Sequence, residues 1–367
     1  MSYAHITGWG MAVPKKVLDN QAITQMVETN DEWIISRTGI RERRIAGEDE
    51  TTASLATQAA LSALETAHLL PASVDLIIVA TSSPEHTFPS TASLVQDRIG
   101  AYRAGAYDLS AACSGFIFGL NTANQAIRSG EIHNVLVIGA ETLSRFVDWK
   151  DRNTCILFGD GAGAFVLQSS EIPGGILSGV TRSDGSGGDL LIIPAGGSFM
   201  PASFDTIHNE LHYIQMNGRE VFRFATKVMA NATQEALRAA RLSIDDVKLI
   251  IPHQANQRII ESAARKLHIS MDRVMVNVDT YGNTSTASIP IATCEAISSG
   301  RIAPGDKVVF VGFGAGLTWG ATVVQWSGPI VPKPLILPTH FRFLARFRSL
   351  LLRLTRRIEG VIWGRIE

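Results

Sequence analysis

Residues 106–141 read AYDLSAACSGFIFGLNTANQAIRSGEIHNVLVIGAE, and residues 281–314 read YGNTSTASIPIATCEAISSGRIAPGDKVVFVGFG. Each stretch opens on a turn of small residues, runs through an apolar helical pattern, breaks at Ser-Gly and resumes as a β-type run. The heptapeptides AIRSGEI and AISSGRI start at 126 and 296, an offset of 170. Upstream, SVDLIIVA (73–80) matches DVKLIIPH (246–253), and each follows a helical pattern, SLATQAALSALETA or ATKVMANATQEALRAA. Agreement at several places around one offset marks an internal duplication. The runs LIIVA and VLVIGA are apolar at every position, as expected when helices cover both faces of a sheet. The fold class is therefore α/β, a duplicated α/β/α/β/α layered sandwich about a pseudo-twofold axis. The halves are expected at 1–172 and 173–327, joined near IPGGILSGV.

The whole-chain numbers narrow the class further. A chain of 367 residues, 46% apolar and 18% charged, exceeds one ordinary core and is too apolar for disorder. Its 33 Lys+Arg against 34 Asp+Glu argue against nucleic acid as a partner of the whole chain. Cys113, Cys155 and Cys294 are widely spaced with no CxxC pair, so neither a disulfide framework nor a metal site is expected. A reducing cytoplasm suits that usage. MSYAHITGWG lacks the basic and then apolar pattern of a signal peptide. No uncharged apolar run approaches the roughly 18 residues of a spanning helix.

The offset of 170 carries Cys113 onto Asn283, each near the start of a helix. Cys113 follows AYDLSAA at a strand-to-helix turn, where free N–H groups and the helix dipole lower a thiol's pKa. Two readings stay open: a nucleophile at the floor of a dry cavity, or a small buried hydrophobe. Cys155 and Cys294 take the second. His253 closes the run LIIPH, at the carboxyl end of a buried strand, where α/β sheets place reactive groups. A thiol that accepts and releases an acyl group needs a proton manager or hydrogen-bond donor beside it, and histidine suits the task. A satisfied structural histidine is the alternative. His5, His68, His133 and His268 read as structural or solvated. ILFGDGAGAFVLQ and VGFGAGLTWGATVVQ alternate glycines, yet they lead into β-type FVLQ and ATVVQ, with no Walker lysine. Tight turns fit them better than a dinucleotide loop, and their bare N–H groups suit half of an oxyanion hole.

With Cys113 in DLSAACSGF, His253 in PHQAN and Asn283 in YGNTSTAS, the chain resembles the β-ketoacyl-acyl-carrier-protein synthase III family of thiolase-like condensing enzymes. The resemblance spans residues 1 to about 327 and includes DEWIISRTGIRERR (31–44), FGDGAG (158–163) and FGAGLTWG (313–320). It implies a thiolase-like fold and a decarboxylative condensation that starts fatty acid synthesis, with no cofactor and no metal. Cys113 would take the acyl group of a primer acyl-CoA such as acetyl-CoA. His253 and Asn283 would then hydrogen-bond the thioester carbonyl of malonyl-acyl-carrier protein as CO₂ leaves. Backbone N–H groups of Cys113 and Ala315 would hold the acyl oxyanion; the family commonly has glycine at Ala315, so the extra methyl narrows the pocket.

The resemblance also assigns binding roles. Trp33 and Arg152 would sandwich the CoA adenine, Arg37 would lie near the nucleotide phosphates, and Thr29 and Gly218 would make further CoA contacts. Gln254, Ala255, Asn256, Gln257 and Arg258 match the region that meets the acyl carrier protein. Arg223, Arg258, Arg265 and Lys266 form a basic patch for that acidic partner, unless they are only a solvated helix face. Phe88 matches a residue that reaches a partner subunit's pocket, which implies a homodimer. A related condensing enzyme of secondary metabolism, with another acyl donor or acceptor, is the alternative. An inactive scaffold tethered by the tail is a third reading, disfavoured by the three reactive residues. Hydroxymethylglutaryl-CoA synthases would need a glutamate base, and no matching one stands out.

Residues 328–367 fall outside the resemblance. GPIVPKPLILPTH reads as a proline-rich linker. In FRFLARFRSLLLRLTRRIEGVIW, Leu344, Phe347, Leu351, Leu354, Ile358 and Val361 recur at helical spacing, with Arg342, Arg346, Arg353 and Arg356 largely opposite. Such a basic amphipathic helix suits an anionic membrane surface or an acidic protein partner. Docking on the chain's own body is the other reading.

Overall fold

The computed structural model describes residues 2–329 and the helix Pro338–Ile362; the linker residues 330–337 lie outside the described residues. A five-stranded sheet runs Tyr3–Ala12, Gly161–Ser170, Asn134–Glu141, Leu76–Ala80, Gly105–Leu109. A four-stranded sheet repeats the order with Gly175–Ser183, Thr318–Gln325, Lys307–Gly314 and Leu249–Pro252. In both, the first two pairings are antiparallel and the next is parallel. The fifth strand survives in the second sheet as a single parallel bridge between Ile250 and Val274.

Alternation along each strand explains why these runs are apolar throughout. Ile78, Val137 and Phe165 of the first sheet face inward, where they meet Phe310 and Val324 of the second. Between the sheets lie the helices Gly115–Ser129, through Phe116, Ile117 and Leu120, and Ser288–Ser298, through Ile289 and Ala292. The neighbours Ile77, Ile138 and Val166 face outward onto the helix Thr52–Thr66. Val309 and Val323 do the same under the helices Gly218–Ala240 and Gln257–Leu267. Two buried faces per strand require apolar residues at both parities. Phe165 sits at the centre, with ring centroids 5.1 Å from Phe116, 5.8 Å from Phe310 and 6.1 Å from Trp326. Truncating such a side chain to alanine costs about 3–5 kcal/mol.

The register of the duplication differs from the sequence expectation. The 3₁₀ turns Ala112–Ser114 and Ser285–Ala287 each precede an inner helix, and each begins on a positive φ, 46° at Ala112 and 48° at Ser285. The inner helices start at Gly115 and Ser288, so Cys113 corresponds in space to Thr286, and Asn283 stands three residues earlier. The second helix has 11 residues against 15. This shortening makes the Ser-Gly ends match at 170 while the starts match at 173.

Helix Pro338–Ile362 packs beside the helix Thr91–Ile99. Ser349 Oγ donates to Asp97 Oδ2 at 2.9 Å, Arg353 lies 3.5 Å from the same carboxylate, and Ala345 is buried over Gly100. The side chains of Arg342, Arg346 and Val361 lie outside the described residues.

Candidate active site

Cys113 occupies the 3₁₀ turn between the strand Gly105–Leu109 and its inner helix, and is buried. The turn lies tight against the other half. A Cβ on Gly314 would stand 2.6 Å from the Cys113 amide nitrogen, and one on Gly139 would stand 2.2 Å from the Thr286 carbonyl oxygen. Glycine at both places lets backbones touch across the pseudo-twofold axis.

Two cavities meet at Cys113. A chamber of 80 Å³ is lined by Cys113, His253 and Asn283, together with Gly218, Asn256 and Phe313. A larger cavity of 260 Å³ is lined by Cys113, Ala315 and Ser285 and by the apolar side chains of Leu143, Phe158, Ile193 and Ile214. The structure thus brings the three sequence-predicted reactive residues into one chamber, with Ala315 lining the neighbouring cavity that Cys113 shares.

Burial dominates the protonation of this site. Desolvation pushes the Cys113 thiol up to about 12; a hydrogen bond with Ser285 opposes it, and the nearby Glu141 carboxyl adds to it. The expected lowering by the helix start is therefore corrected. In this buried turn, loss of hydration outweighs the hydrogen bonds that favour the thiolate. His253 is 1% exposed, and burial pulls its pKa down to about 3, which leaves it neutral.

His253 follows the strand Leu249–Pro252, and its ring is held edge-on to Phe313 at 5.3 Å. Its Nδ1 lies 2.7 Å from Ser288 Oγ, which also accepts from the Gln254 N–H at 3.2 Å. Nδ1 is the acceptor within reach of the Ser288 O–H among the described residues, so we assign the O–H as donor to Nδ1 and the ring proton to Nε2. Nε2 is buried and has no partner among the described residues. A buried N–H without an acceptor costs about 1–3 kcal/mol, and in a cavity it suits an arriving carbonyl.

Asn283 is oriented by similar logic. Its Oδ1 accepts from the Ser285 N–H at 2.9 Å, so Nδ2 is the end left for a ligand. Its backbone is clamped to the start of the motif FGDGAG and the residue before it: Asn283 N–H donates to Leu157 O at 2.8 Å, and Gly159 N–H donates to Asn283 O at 3.0 Å. The glycines thus serve a β-bridge and the strand Gly161–Ser170, as the turn reading expects.

Two supporting residues escaped the sequence reading. Ser288 is one hydroxyl among several in TSTAS, with nothing to single it out. Glu141, fully buried, ends the run NVLVIGAE, and an acid there is a visible anomaly. It accepts from Ser83 Oγ at 2.6 Å, Ser82 N–H at 3.1 Å, and Ser285 Oγ and Thr286 Oγ1 at 3.0 Å. Burial raises its pKa against those bonds. Saturated by donors, Glu141 fastens the Ser285–Thr286 turn of one half to the Ser82–Ser83 loop of the other.

The remaining assigned residues divide. Arg152 lies with its guanidinium carbon 4.8 Å from the Trp33 ring centroid and Arg37 5.8 Å from it. Arg152 and Trp33 touch each other, so a base can enter between them only if the arginine swings away. Thr29 Oγ1 is buried without a partner among the described residues. Gly218 opens its helix at the chamber, and Asn256, which caps the helix Gln257–Leu267, donates to Arg37 O at 3.0 Å. Gln254 is a correction: it is 1% exposed, with its amide spent on Pro252 O, Met275 O and the Asn277 N–H, so it cannot meet a carrier protein. Ala255 lines the chamber, and Gln257 lies under Gly39 and bonds Glu261.

Arg223, Arg258, Arg265 and Lys266 are exposed on two adjoining helices. Arg258 lies over Phe222, and Lys266 Nζ donates to Thr226 O at 2.7 Å. Exposed Arg219 and Lys227 extend Arg223 into an i, i+4, i+8 stripe that the sequence reading missed. Phe88 is 84% exposed.

Family models described as 3-oxoacyl-[acyl-carrier-protein (ACP)] synthase III match residues 107–185, and as its C-terminal part residues 237–326. A beta-ketoacyl-[acyl-carrier-protein] synthase III of Roseiflexus sp. is 51% identical over 326 residues, covering 89% of this chain and 99% of the relative. The crystal structure of 3-oxoacyl-[acyl-carrier-protein] synthase III from Aquifex aeolicus is 48% identical with a TM-score of 0.81, covering 88% of this chain and 100% of that one. The priming beta-ketosynthase of the R1128 polyketide biosynthetic pathway is 34% identical with a TM-score of 0.83, covering 89% of this chain and 97% of that one.

Proposed function

The chain belongs to the 3-oxoacyl-[acyl-carrier-protein] synthase III family, a fatty-acid-synthesis transferase with the thiolase-like fold, and we propose that Cys113, His253 and Asn283 carry its decarboxylative condensation. Cys113 Sγ attacks the carbonyl carbon of a primer acyl-CoA; the C–S bond to CoA breaks and CoA leaves with the thiol's proton. Malonyl-acyl-carrier protein then enters. Its carboxylate departs as CO₂, and the bonding pair moves toward the thioester oxygen, which accepts from His253 Nε2–H and Asn283 Nδ2–H. The carbanion attacks the acyl carbon, the bond to Sγ breaks, and the cysteine regains a proton from water. Neutral donors in a dry chamber favour the state in which charge has moved onto oxygen, a contribution of about 10²–10³ in rate per donor. The observation that carries this reading is the chamber itself, with a thiol, a partnerless imidazole N–H and a turned carboxamide around one space.

The apolar cavity beyond Cys113 suits the primer's alkyl chain, with Ala315 and Cys113 N–H groups at its mouth for the acyl oxygen. Thr29, Trp33, Arg37, Arg152 and Gly218 would bind CoA. Arg219, Arg223, Lys227, Arg258, Arg265 and Lys266 would bind the acidic carrier protein, with Ala255, Asn256 and Gln257 near the entrance. A second copy of the chain would add to the open edge of the strand Gly105–Leu109, beside exposed Tyr107 and Phe88. We place the enzyme in the cytoplasm, where a reducing milieu keeps Cys113 a thiol. No cofactor enters the scheme, since decarboxylation drives the new bond. The likeness to a polyketide priming synthase supports a second reading, the same chemistry with another acyl donor or acceptor.

Labelled acyl-CoAs of several chain lengths, followed by malonyl-acyl-carrier protein, test both. Cys113→Ser should abolish labelling, while His253→Ala and Asn283→Ala should label normally and fail to condense. Loss of labelling in either of the last two would overturn this division of roles. A strong preference for a non-acetyl primer would favour the second reading.

A further inference from the structure

The helix Pro338–Ile362 docks the wrong way round for a helix that belongs only to its own protein. Against the body it sets Ala345, Arg348, Ser349 and Arg353, at spacings of three and four: Arg348 over Tyr102 at 4.9 Å, and Ser349 and Arg353 on Asp97. Its opposite face holds Phe343, Phe347, Leu350, Leu354 and Ile358, all exposed, with Leu351 alongside. Amphipathic helices normally bury the apolar stripe and wet the polar one. Here the polar stripe lies toward the body, with only Ala345 buried, and the apolar one faces out. Leu350 is 65% exposed and Phe343 74%, and such a contiguous apolar face marks a contact surface.

Charge selects the occupant. The helix sequence has six arginines against one glutamate, while the whole chain is near neutral. A second copy of this helix would bring arginine rows against each other, whereas anionic headgroups would receive them. The 25 residues span about 37 Å, yet no helix among the described residues is apolar enough to cross a bilayer. The helix therefore suits the plane of an interface, with arginine stems reaching up to headgroup level. We propose that Pro338–Ile362 is a peripheral membrane anchor that lies flat on an anionic lipid surface, its phenylalanine and leucine face among the acyl chains and the enzyme body on its other side.

The proposal stands independently of the catalytic reading. It is tested by flotation of the full chain with vesicles of phosphatidylglycerol and phosphatidylcholine, and with phosphatidylcholine alone. The wild type should float with the anionic vesicles, less at high salt, and weakly with the neutral ones. Phe347→Glu with Leu354→Glu should weaken anionic binding by about tenfold or more, with condensing activity retained because both side chains are exposed on the face turned away from the body. Failure of the wild type to float, or equal flotation of the double variant, overturns the anchor. So does light scattering in which the wild type without lipid has a larger mass than the double variant, since the face would then seat a second copy.

Discussion

Ser288→Ala removes one oxygen and tests how the site holds its imidazole. Ser288 Oγ engages His253 Nδ1 at 2.7 Å and the Gln254 N–H at 3.2 Å, all inside a buried pocket. Without it, Nδ1 and the Gln254 N–H lose a partner where water does not replace it, at a cost of about 1–3 kcal/mol. The ring also loses the hydrogen bond that keeps its proton on Nε2 and aims that N–H into the chamber. Misaiming one donor to a developing oxyanion, without deleting it, should cost about 10–100-fold in rate, less than the roughly 10²–10³ for losing a donor outright. The loss should fall on condensation alone, since Cys113 attack uses other groups. Rapid-quench acylation with labelled acyl-CoA measures the first step, and product formation with malonyl-acyl-carrier protein measures the second. The ¹⁵N spectrum of His253 should move from a single Nε2–H tautomer toward a mixture. Condensation within threefold of wild type, or an equal fall in acylation, would refute the reasoning.

Because burial pushes the Cys113 thiol up to about 12, its iodoacetamide reactivity should climb with pH right through the neutral range as the thiolate fraction grows; a plateau below pH 8 would mean a stabilised thiolate after all. Glu141→Ala should lower the melting temperature strongly, by the several kcal/mol that follow when buried donors lose a shared acceptor, and Glu141→Gln should lower it less; an unshifted melting curve would remove Glu141 as the clasp between halves. Arg152→Ala removes the cation over Trp33, a contact of about 0.5–2 kcal/mol, and should raise KM for acyl-CoA up to about tenfold while sparing KM for malonyl-acyl-carrier protein. Equal rises in both would count against an adenine site.

The duplicated strands were legible because burial on two faces imposes apolar residues at both parities, a demand that shows in LIIVA and VVFVG without coordinates. Cys113, His253 and Asn283 stood out at strand ends and helix starts. Their pairing by a uniform offset did not survive, since the second inner helix is shorter and shifts its start by three residues. Gln254 was assigned to the carrier-protein surface by resemblance, as part of the stretch 254–258, yet its amide satisfies three backbone groups at the strand's end. Ser288 was invisible, since a hydroxyl's importance depends on what stands opposite it.

The amino-acid pattern by itself determined the layered α/β architecture, the place of Cys113 at a strand-to-helix turn and the presence of an amphipathic terminal helix. These follow from local periodicity, which each segment encodes alone. Only the tertiary structure decided that the thiol and imidazole rest uncharged, that Glu141 joins the halves and that the terminal helix turns its apolar side outward. Each of those depends on desolvation and on partners drawn from distant segments, and such properties belong to the packed assembly of the chain.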